Sequence, residues 1–403
     1  MTAMMNSVRR SVLVILRVAA AGLCCVGIWY SCRLAYADYL FRLDNQNSIR
    51  SAIRLVPDRA EYYLRLSQLD SSHAQEYLTT ALSLDRYNAQ AYIELGLEYE
   101  ANGDYASAEK MMLTAFDVDH TYLPRWSLAN FYLRRDNMPS FWIWARRAAE
   151  MPADDVSALF ELCWRASPNP NDITKAILND KPELIRQYLG FLLEKDQMNA
   201  IATEAQHLVR FGNADADSPL LLDIVNRLIA SNDAVSAEAL WRLLIDRHWV
   251  VADATTPNNA EFSRKPLPVS FDWALPEYTG LHSWAGFSGL ETEFAGTEPE
   301  DCTIAEQALV LTAGNYTAAY SYKTSNIPPE TGVRWQIVDP RSHMILAESS
   351  DLSSDVLKYA ALPFMVPSDT SLIRLRLQYK RAVGTTRISG TLVIPSIRIQ
   401  GQH

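Results

Sequence analysis

Residues 89–120 read AQAYIELGLEYEANGDYASAEKMMLTAFDVDH, two helical patterns separated by a turn signal, NGD, at residues 102–104. Gly96 and Ala108 are small where the two helices of such a pair would cross closely. Tyr99 would fill the space beside them. The stretch therefore predicts a packed helical hairpin.

The same pattern returns along the chain, which is the mark of a repeat architecture. An alanine takes the same place in the second helix of four units, at spacings of 29, 34 and 33 residues by subtraction: Ala52, Ala81, Ala115 and Ala148. A more degenerate pair of units aligns at a constant offset of 35 residues, Gly190/Ala202/Val209 with Val225/Ala237/Leu244. We therefore predict an all-α repeat array, a solenoid, over residues 35–250.

The best unit resembles the tetratricopeptide repeat (TPR), whose packing positions are matched by Tyr92, Leu95, Gly96, Tyr99, Ala108, Met112 and Ala115. The resemblance covers roughly half the chain and specifies a fold, not an activity. It implies a solenoid whose concave surface, lined mainly by the first helix of each repeat, receives a protein or peptide. The groove positions would include Ile93, Leu97, Trp126, Asn130 and Arg134.

The N-terminal region carries an apolar stretch, VLVILRVAAAGLCCVGIWYSC, at residues 12–32. That is close to the ~20 residues that a helix needs to cross a bilayer. Arg17 can extend toward the headgroups, and no small-residue cleavage site follows the stretch. We predict an uncleaved, single-pass transmembrane signal anchor at residues 11–34, preceded by a short cytoplasmic tail, residues 1–10.

The C-terminal region changes to a strand pattern. Residues 251–268 combine Pro, Asn, Thr and Ser without periodicity and are typical of a linker. Downstream, short alternating segments are separated by turn signals: LETEFAG, ALVLTAG, YTAAYSYKTS, GVRWQIVD, LIRLRLQYK, TRISGTLVI and SIRIQ. In residues 372–379 the apolar side chains alternate with arginines, so one face would be core. We predict an all-β sandwich, a jelly roll, over residues 269–403.

The FDW opening at residues 271–273, the GLETEF strand, a hairpin over residues 311–325 and the RISGTLVIPSIRI terminus together resemble the jelly-roll carbohydrate-binding modules. In that family, sugars stack on exposed Trp or Tyr rings and bond to nearby polar side chains. The resemblance implies a glycan site formed by Trp273, Trp284, Tyr322 and Trp335, with Arg334, Arg376 and Gln378 as polar partners. Burial of the same rings in a sandwich core is the competing interpretation.

Several function classes are disfavoured. The formal net charge of −10 lacks the basic excess that nucleic-acid binding needs. No GxSxG, HExxH, P-loop or GxGxxG motif occurs, so we predict no enzyme, no cofactor and no metal site. Cys163 and Cys302 would be buried or unpaired thiols. A glycan-active enzyme using the acidic residues Glu291, Glu293, Glu298 and Glu300 is the distant alternative.

The sequence thus predicts a multidomain, membrane-anchored scaffold whose helical repeats recruit a protein partner and whose sandwich binds a glycan or an envelope component. The family resemblances imply a bacterial inner-membrane protein with most of the chain in the periplasm, in the export or assembly of surface polysaccharide. The main alternative is a scaffold that binds only protein and has a purely structural sandwich.

Overall fold

The structure is a computed structural model that describes residues 2–151, 155–178, 180–253 and 255–401. Within the first helix, the side chains of residues 2–16, 18 and 19 are outside this description. The chain forms two compact units, Met1–Leu178 and Asn179–His403. The division falls inside the predicted helical array, and the predicted domain boundaries stay predictions.

The first unit consists of helices, and consecutive helices pack against each other. The described helices are α1 (Thr2–Arg42), α2 (Gln46–Leu55), α3 (Ala60–Leu69), α4 (Ala74–Leu84), α5 (Ala89–Ala101), α6 (Tyr105–Val118), α7 (Tyr122–Arg134), α8 (Met138–Ala149), α9 (Ser157–Ala166) and α10 (Pro170–Ile177). The four alanines predicted to repeat in the second helices are all fully buried, which confirms the common packing position.

The α5/α6 pair confirms the predicted hairpin. Gly103 in the connecting turn has φ +80°, a conformation that favours glycine. The Asp104 side chain accepts a hydrogen bond from the backbone N–H of Ser107 at 3.1 Å and so caps α6. A Cβ atom added to Gly96 would lie 2.9 Å from Cγ of Met112 and 3.2 Å from the carbonyl oxygen of Ala108. The helices therefore cross where the small residues predicted it.

The N-terminal helix α1 continues without interruption from the predicted tail and anchor into the first helical pair. Near its end, Ala37 is fully buried, and Tyr62 of α3 donates a hydrogen bond to Asp38 at 2.7 Å. Among the residues that the structure describes, no helix combines the length and the apolar character that crossing a membrane requires. The side chains of the predicted tail and of residues 11–16, where the predicted anchor begins, lie outside the described part of the chain.

The second unit begins with four helices: α11 (Pro182–Glu194), α12 (Met198–Phe211), α13 (Ala214–Ala230) and α14 (Ala234–Asp246). Asn226 of α13 attaches them to the β domain, because its side chain donates to the carbonyl of Pro268 at 3.0 Å and accepts from the N–H of Ser270 at 2.8 Å. Helices α11–α14 are therefore packed in one unit with the sandwich.

The middle of the predicted linker, residues 251–268, is packed onto the sandwich: residues 257–260 and 262 are buried. Phe262 is fully buried in the sandwich core. Asn258 exchanges two hydrogen bonds with the Gln307 side chain, at 2.8 and 2.9 Å. The described residues of the segment form no helix or strand, and a β-domain side chain satisfies both backbone polar groups of Asn258.

The β domain is an antiparallel sandwich, as predicted, and its described strands form two sheets. One sheet has the order β1-β2-β9-β4-β7 and the other the order β3-β8-β5-β6. The bounds are β1 (Leu281–Gly286), β2 (Gly289–Ala295), β3 (Asp301–Val310), β4 (Gly314–Ser325), β5 (Val333–Val338), β6 (Ile345–Glu348), β7 (Lys358–Val366), β8 (Leu372–Lys380) and β9 (Ser389–Gly401).

Two details of the strand prediction have different outcomes. The alternation in β8 is confirmed, because its apolar side chains, Ile373, Leu375, Leu377 and Tyr379, are all fully buried. The predicted hairpin over residues 311–325 is wrong, since β3 and β4 lie in different sheets and the chain crosses the sandwich between them. Strands β1, β6 and β7 were not predicted.

Candidate binding face of the sandwich

Three of the four aromatic residues predicted to bind a glycan belong to the core. Trp273, Tyr322 and Trp335 are buried, so they offer no ring face to a ligand. The ring centroids of Trp273 and Trp335 are 6.0 Å apart, and the indole N–H of Trp273 donates to the carbonyl of Asn259 at 3.1 Å. For these three residues the glycan prediction is wrong, because the two facing sheets need large side chains to fill the space between them.

The predicted polar partners lie on the outer face of the β3-β8-β5-β6 sheet, where acidic neighbours already bind them. Arg376 pairs with Glu306 at 2.7 Å across β8 and β3. Arg334 pairs with Asp351 and Glu348, and the Asp351 carboxylate raises the pKa of Arg334.

Gln378, on the same face, accepts from the Thr303 hydroxyl at 2.9 Å and donates to Asp301. These contacts are cross-strand pairs of the kind that stabilise a sheet. The three polar residues therefore do not form one site with Trp284, which belongs to the other sheet.

Trp284 alone among the four predicted rings is partly exposed. It lies on β1, an edge strand, and the buried Leu281 shows which face of that strand is core. Trp284 and His282 therefore point outward, with ring centroids 5.1 Å apart. In register with Trp284 across the sheet lie Glu291 of β2, Val393 of β9 and Lys323 of β4.

The opposite edge of the same outer face carries a second exposed ring. Tyr359 of β7 is 77% exposed and is in register with Ser321 of β4, which in turn is in register with Ser396 of β9. Four strand spacings separate β1 from β7, a distance of ~19 Å. We call the outer face of the β1-β2-β9-β4-β7 sheet the outer face. It has an aromatic ring at each edge, and the residues between the two rings include the small side chains of Ser321 and Ser396.

The sequence contained signals for this surface. In LHSWAG, the spacing of His282 and Trp284 opposite Leu281 is a period-2 strand pattern, and Glu291 and Glu293 alternate with Leu290, Thr292 and Phe294 in the same way. Strand β7 was missed because Pro363 interrupts it, although proline is compatible with an edge strand.

The predicted helical groove residues lie on α5 and α7, which contact each other. Ile93 is buried and Leu97 is 39% exposed. Asn130 donates to the carbonyl of Trp126 at 3.1 Å within its own helix. Arg134 pairs with Glu100 of α5, with N–O distances of 2.9 and 2.6 Å. Of the five residues, Leu97 and Arg134 are thus the exposed ones, and the Arg134 charge is already paired.

Comparison with known proteins gives no family assignment. No protein-family model matches the chain, and no curated protein matches it. Among solved structures, a CBM4 structure is 12% identical and covers 36% of this chain and 99% of its own, with a TM-score of 0.30. A thermophilic TPR protein of Thermus thermophilus is 20% identical, with coverages of 32% and 73% and a TM-score of 0.28.

The TPR protein YrrB, described as having an unusual peptide-binding site, is 16% identical over 49% of this chain and 91% of its own, with a TM-score of 0.24. Similarities at this level leave the function to be argued from the residues.

Two of the four acidic residues of the enzyme alternative, Glu298 and Glu300, have separate structural roles. Glu298 is buried and accepts from the backbone N–H groups of Gly296 and Ile388, at 3.0 and 3.1 Å. Glu300 pairs with Arg381 at 3.1 Å. Glu291 and Glu293 remain on the outer face. Within the described ranges, no group of three or more His, Cys, Asp or Glu side chains could hold a metal ion.

Cys163 and Cys302 are both buried, free thiols. Burial raises the pKa of the Cys302 thiol to about 11, and Glu298 and Asp301 act in the same direction. Burial also raises the pKa of Cys163. Both therefore stay protonated at neutral pH, a state in which a thiol is a poor nucleophile.

Proposed function

We propose that this protein is a non-catalytic scaffold that binds a glycan on the outer face of its sandwich and a protein partner on its helical hairpins. The glycan half rests on one observation: Trp284 is partly exposed at the edge of a sheet, directly across from the Glu291 carboxylate. An aromatic ring suits the apolar C–H face of a pyranose, while the hydroxyl groups at the edge of the sugar need fixed acceptors and donors. Glu291 and Lys323 supply both kinds of group in one register row.

The arrangement favours an extended ligand over a single sugar. Trp284 and Tyr359 lie at opposite edges of the outer face, and Val393, Ser321 and Ser396 lie between them. A glycan chain crossing the strands would contact a ring at each end. Trp284 would contribute more than Tyr359, because its partly buried ring is held in place whereas Tyr359 projects into solvent.

The test is retardation of the full chain in gels containing soluble polysaccharides. We expect Trp284→Ala to weaken binding about five- to thirtyfold, since a stacked ring contributes about 1–2 kcal/mol. Phe287→Ala is the matched control, because Phe287 is a fully exposed ring at the tip of the β1–β2 hairpin. Equal retardation of the Trp284→Ala variant and the parent chain would contradict the proposal. No retardation on any polysaccharide would favour the protein-only scaffold, which the three buried rings also favour.

The protein-binding half rests on the helical hairpins and on the exposed Leu97. The proposal includes membrane attachment through residues 11–34, which rests on the apolar stretch of the sequence. It also includes a periplasmic location and a role in surface polysaccharide export or assembly, which rest on the family resemblances. An alkaline phosphatase fused after His403 is active only outside the bacterial cytoplasm. Activity of this fusion in cells would support the proposed topology, and an inactive but stable fusion would contradict it.

A further inference from the structure

A cavity of about 860 Å³ lies beside Trp284 in the second unit. One wall is strand β1, at residues 283–285, and another is the proline-rich segment at residues 265–270. Trp273, Ala274 and Leu275 also line the cavity. The volume is within the ~300–1,000 Å³ typical of ligand sites in proteins.

Several polar groups of the cavity lining already make hydrogen bonds within the protein. The Asn226 amide bonds to Pro268 and Ser270, and the Trp273 indole N–H bonds to the carbonyl of Asn259. The backbone N–H of Leu267 donates to the buried Asp272 carboxylate at 2.9 Å, which fixes the wall in place. Because these three groups already have hydrogen-bond partners, an apolar ligand in the cavity would not leave any of them buried and unpaired.

The charged residues of the lining, Lys265 and Glu277, are exposed. Their charges can therefore stay in water when the cavity is filled. Trp284 belongs both to the cavity wall and to the outer face. A single ligand can thus place a sugar on the outer face at Trp284 and an apolar group in the cavity.

We propose that the cavity binds an alkyl or acyl substituent carried by the glycan. The ligand class is then an amphiphilic glycan, such as an acylated sugar or a lipid-linked one. The sugar half of this inference rests on the proposed function, whereas the apolar half rests on the cavity alone.

The test uses calorimetry of the full chain with methyl, butyl and octyl β-D-glucopyranoside, all below the micellar concentration. We expect affinity to rise about fourfold for each methylene group that enters the cavity. Leu267→Asp should abolish this rise, because a charge in the wall disfavours an alkyl chain. Leu267→Met should keep it, as should Leu84→Asp, the same substitution at an exposed position of α4.

The possible results separate the two proposals. Equal affinity for the three glucosides would overturn the inference and leave glycan binding at Trp284 intact. A rise with chain length that Leu267→Asp leaves unchanged would also overturn it. A rise that Leu267→Asp abolishes, together with no effect of Trp284→Ala in the polysaccharide gels, would support the cavity and contradict the proposed glycan face.

Discussion

Replacing Phe262 with alanine is expected to lower the free energy of unfolding of the second unit by about 3–5 kcal/mol, the usual cost of removing a buried phenyl ring. Phe262 is fully buried in the sandwich core, and its ring centroid lies 4.8 Å from that of Trp273. Its backbone N–H also bonds to the carbonyl of Asn259 at 3.0 Å. A residue of the apparent linker thus fills part of the sandwich core.

The measurement is thermal unfolding followed by tryptophan fluorescence, in which a loss of this size lowers Tm by about 10 °C. Phe287→Ala is the control, since it removes the same ring from a fully exposed position and should change stability by less than ~0.5 kcal/mol. Similar melting temperatures for the two variants would contradict the assigned role of Phe262.

By the same reasoning, a fragment that starts at residue 266 should unfold at lower temperature than one that starts at residue 250.

Replacing Gly96 with leucine is expected to destabilise the first unit by about 3 kcal/mol, the upper part of the range for overpacking. Even a Cβ atom at this position would approach the Ala108 carbonyl to 3.2 Å, so α5 and α6 would have to separate. Moving the Met112 side chain, which a Cβ atom would approach to 2.9 Å, could not relieve the contact, because the Ala108 carbonyl is backbone.

Gly190→Ala is the matched control. Gly190 also lies in a helix, α11, but a Cβ atom there would meet nothing within 4 Å. Alanine should therefore stabilise the second unit by up to ~1 kcal/mol through helix propensity. Circular dichroism melts of both variants test the contrast. Destabilisation by Gly190→Ala, or a Gly96→Leu variant as stable as the parent chain, would show that the two glycines are not distinguished by helix contact.

The helical repeats and the sandwich could be predicted because each depends on a short period that is visible in the sequence. The small residues Gly96 and Ala108 marked a helix crossing, and the alternation in β8 marked a core face. The packed linker could not be predicted in this way. Phe262 packs against Trp273, a contact that exists only in the folded chain. The residues around Phe262 show no helical or strand periodicity of apolar side chains from which its burial could be predicted.

The candidate site was predicted only in part. Aromatic residues serve both as core and as ligand contacts, and composition does not distinguish these roles. Position within a strand does: in GVRWQIV, Trp335 alternates in phase with Val333 and Ile337, all three of which are fully buried. Trp284 instead lies on the same face of its strand as His282, and its partner across the sheet is the charged residue Glu291. Phase relative to known core residues is thus the sequence signal that separates the two kinds of ring.

The unbroken course of α1 has a consequence for the angular relation between its two ends. The helix runs from Thr2 to Arg42, and its final turns are fixed against α2 and α3 by Ala37 and Asp38. Each residue of a helix turns the chain by about 100° and advances it by about 1.5 Å. Inserting one residue between Ala20 and Cys32 would therefore rotate the part of α1 before the insertion by about 100° about the helix axis, relative to the helical hairpins. The number of residues in α1 thus sets the direction in which the N-terminal residues face around that axis.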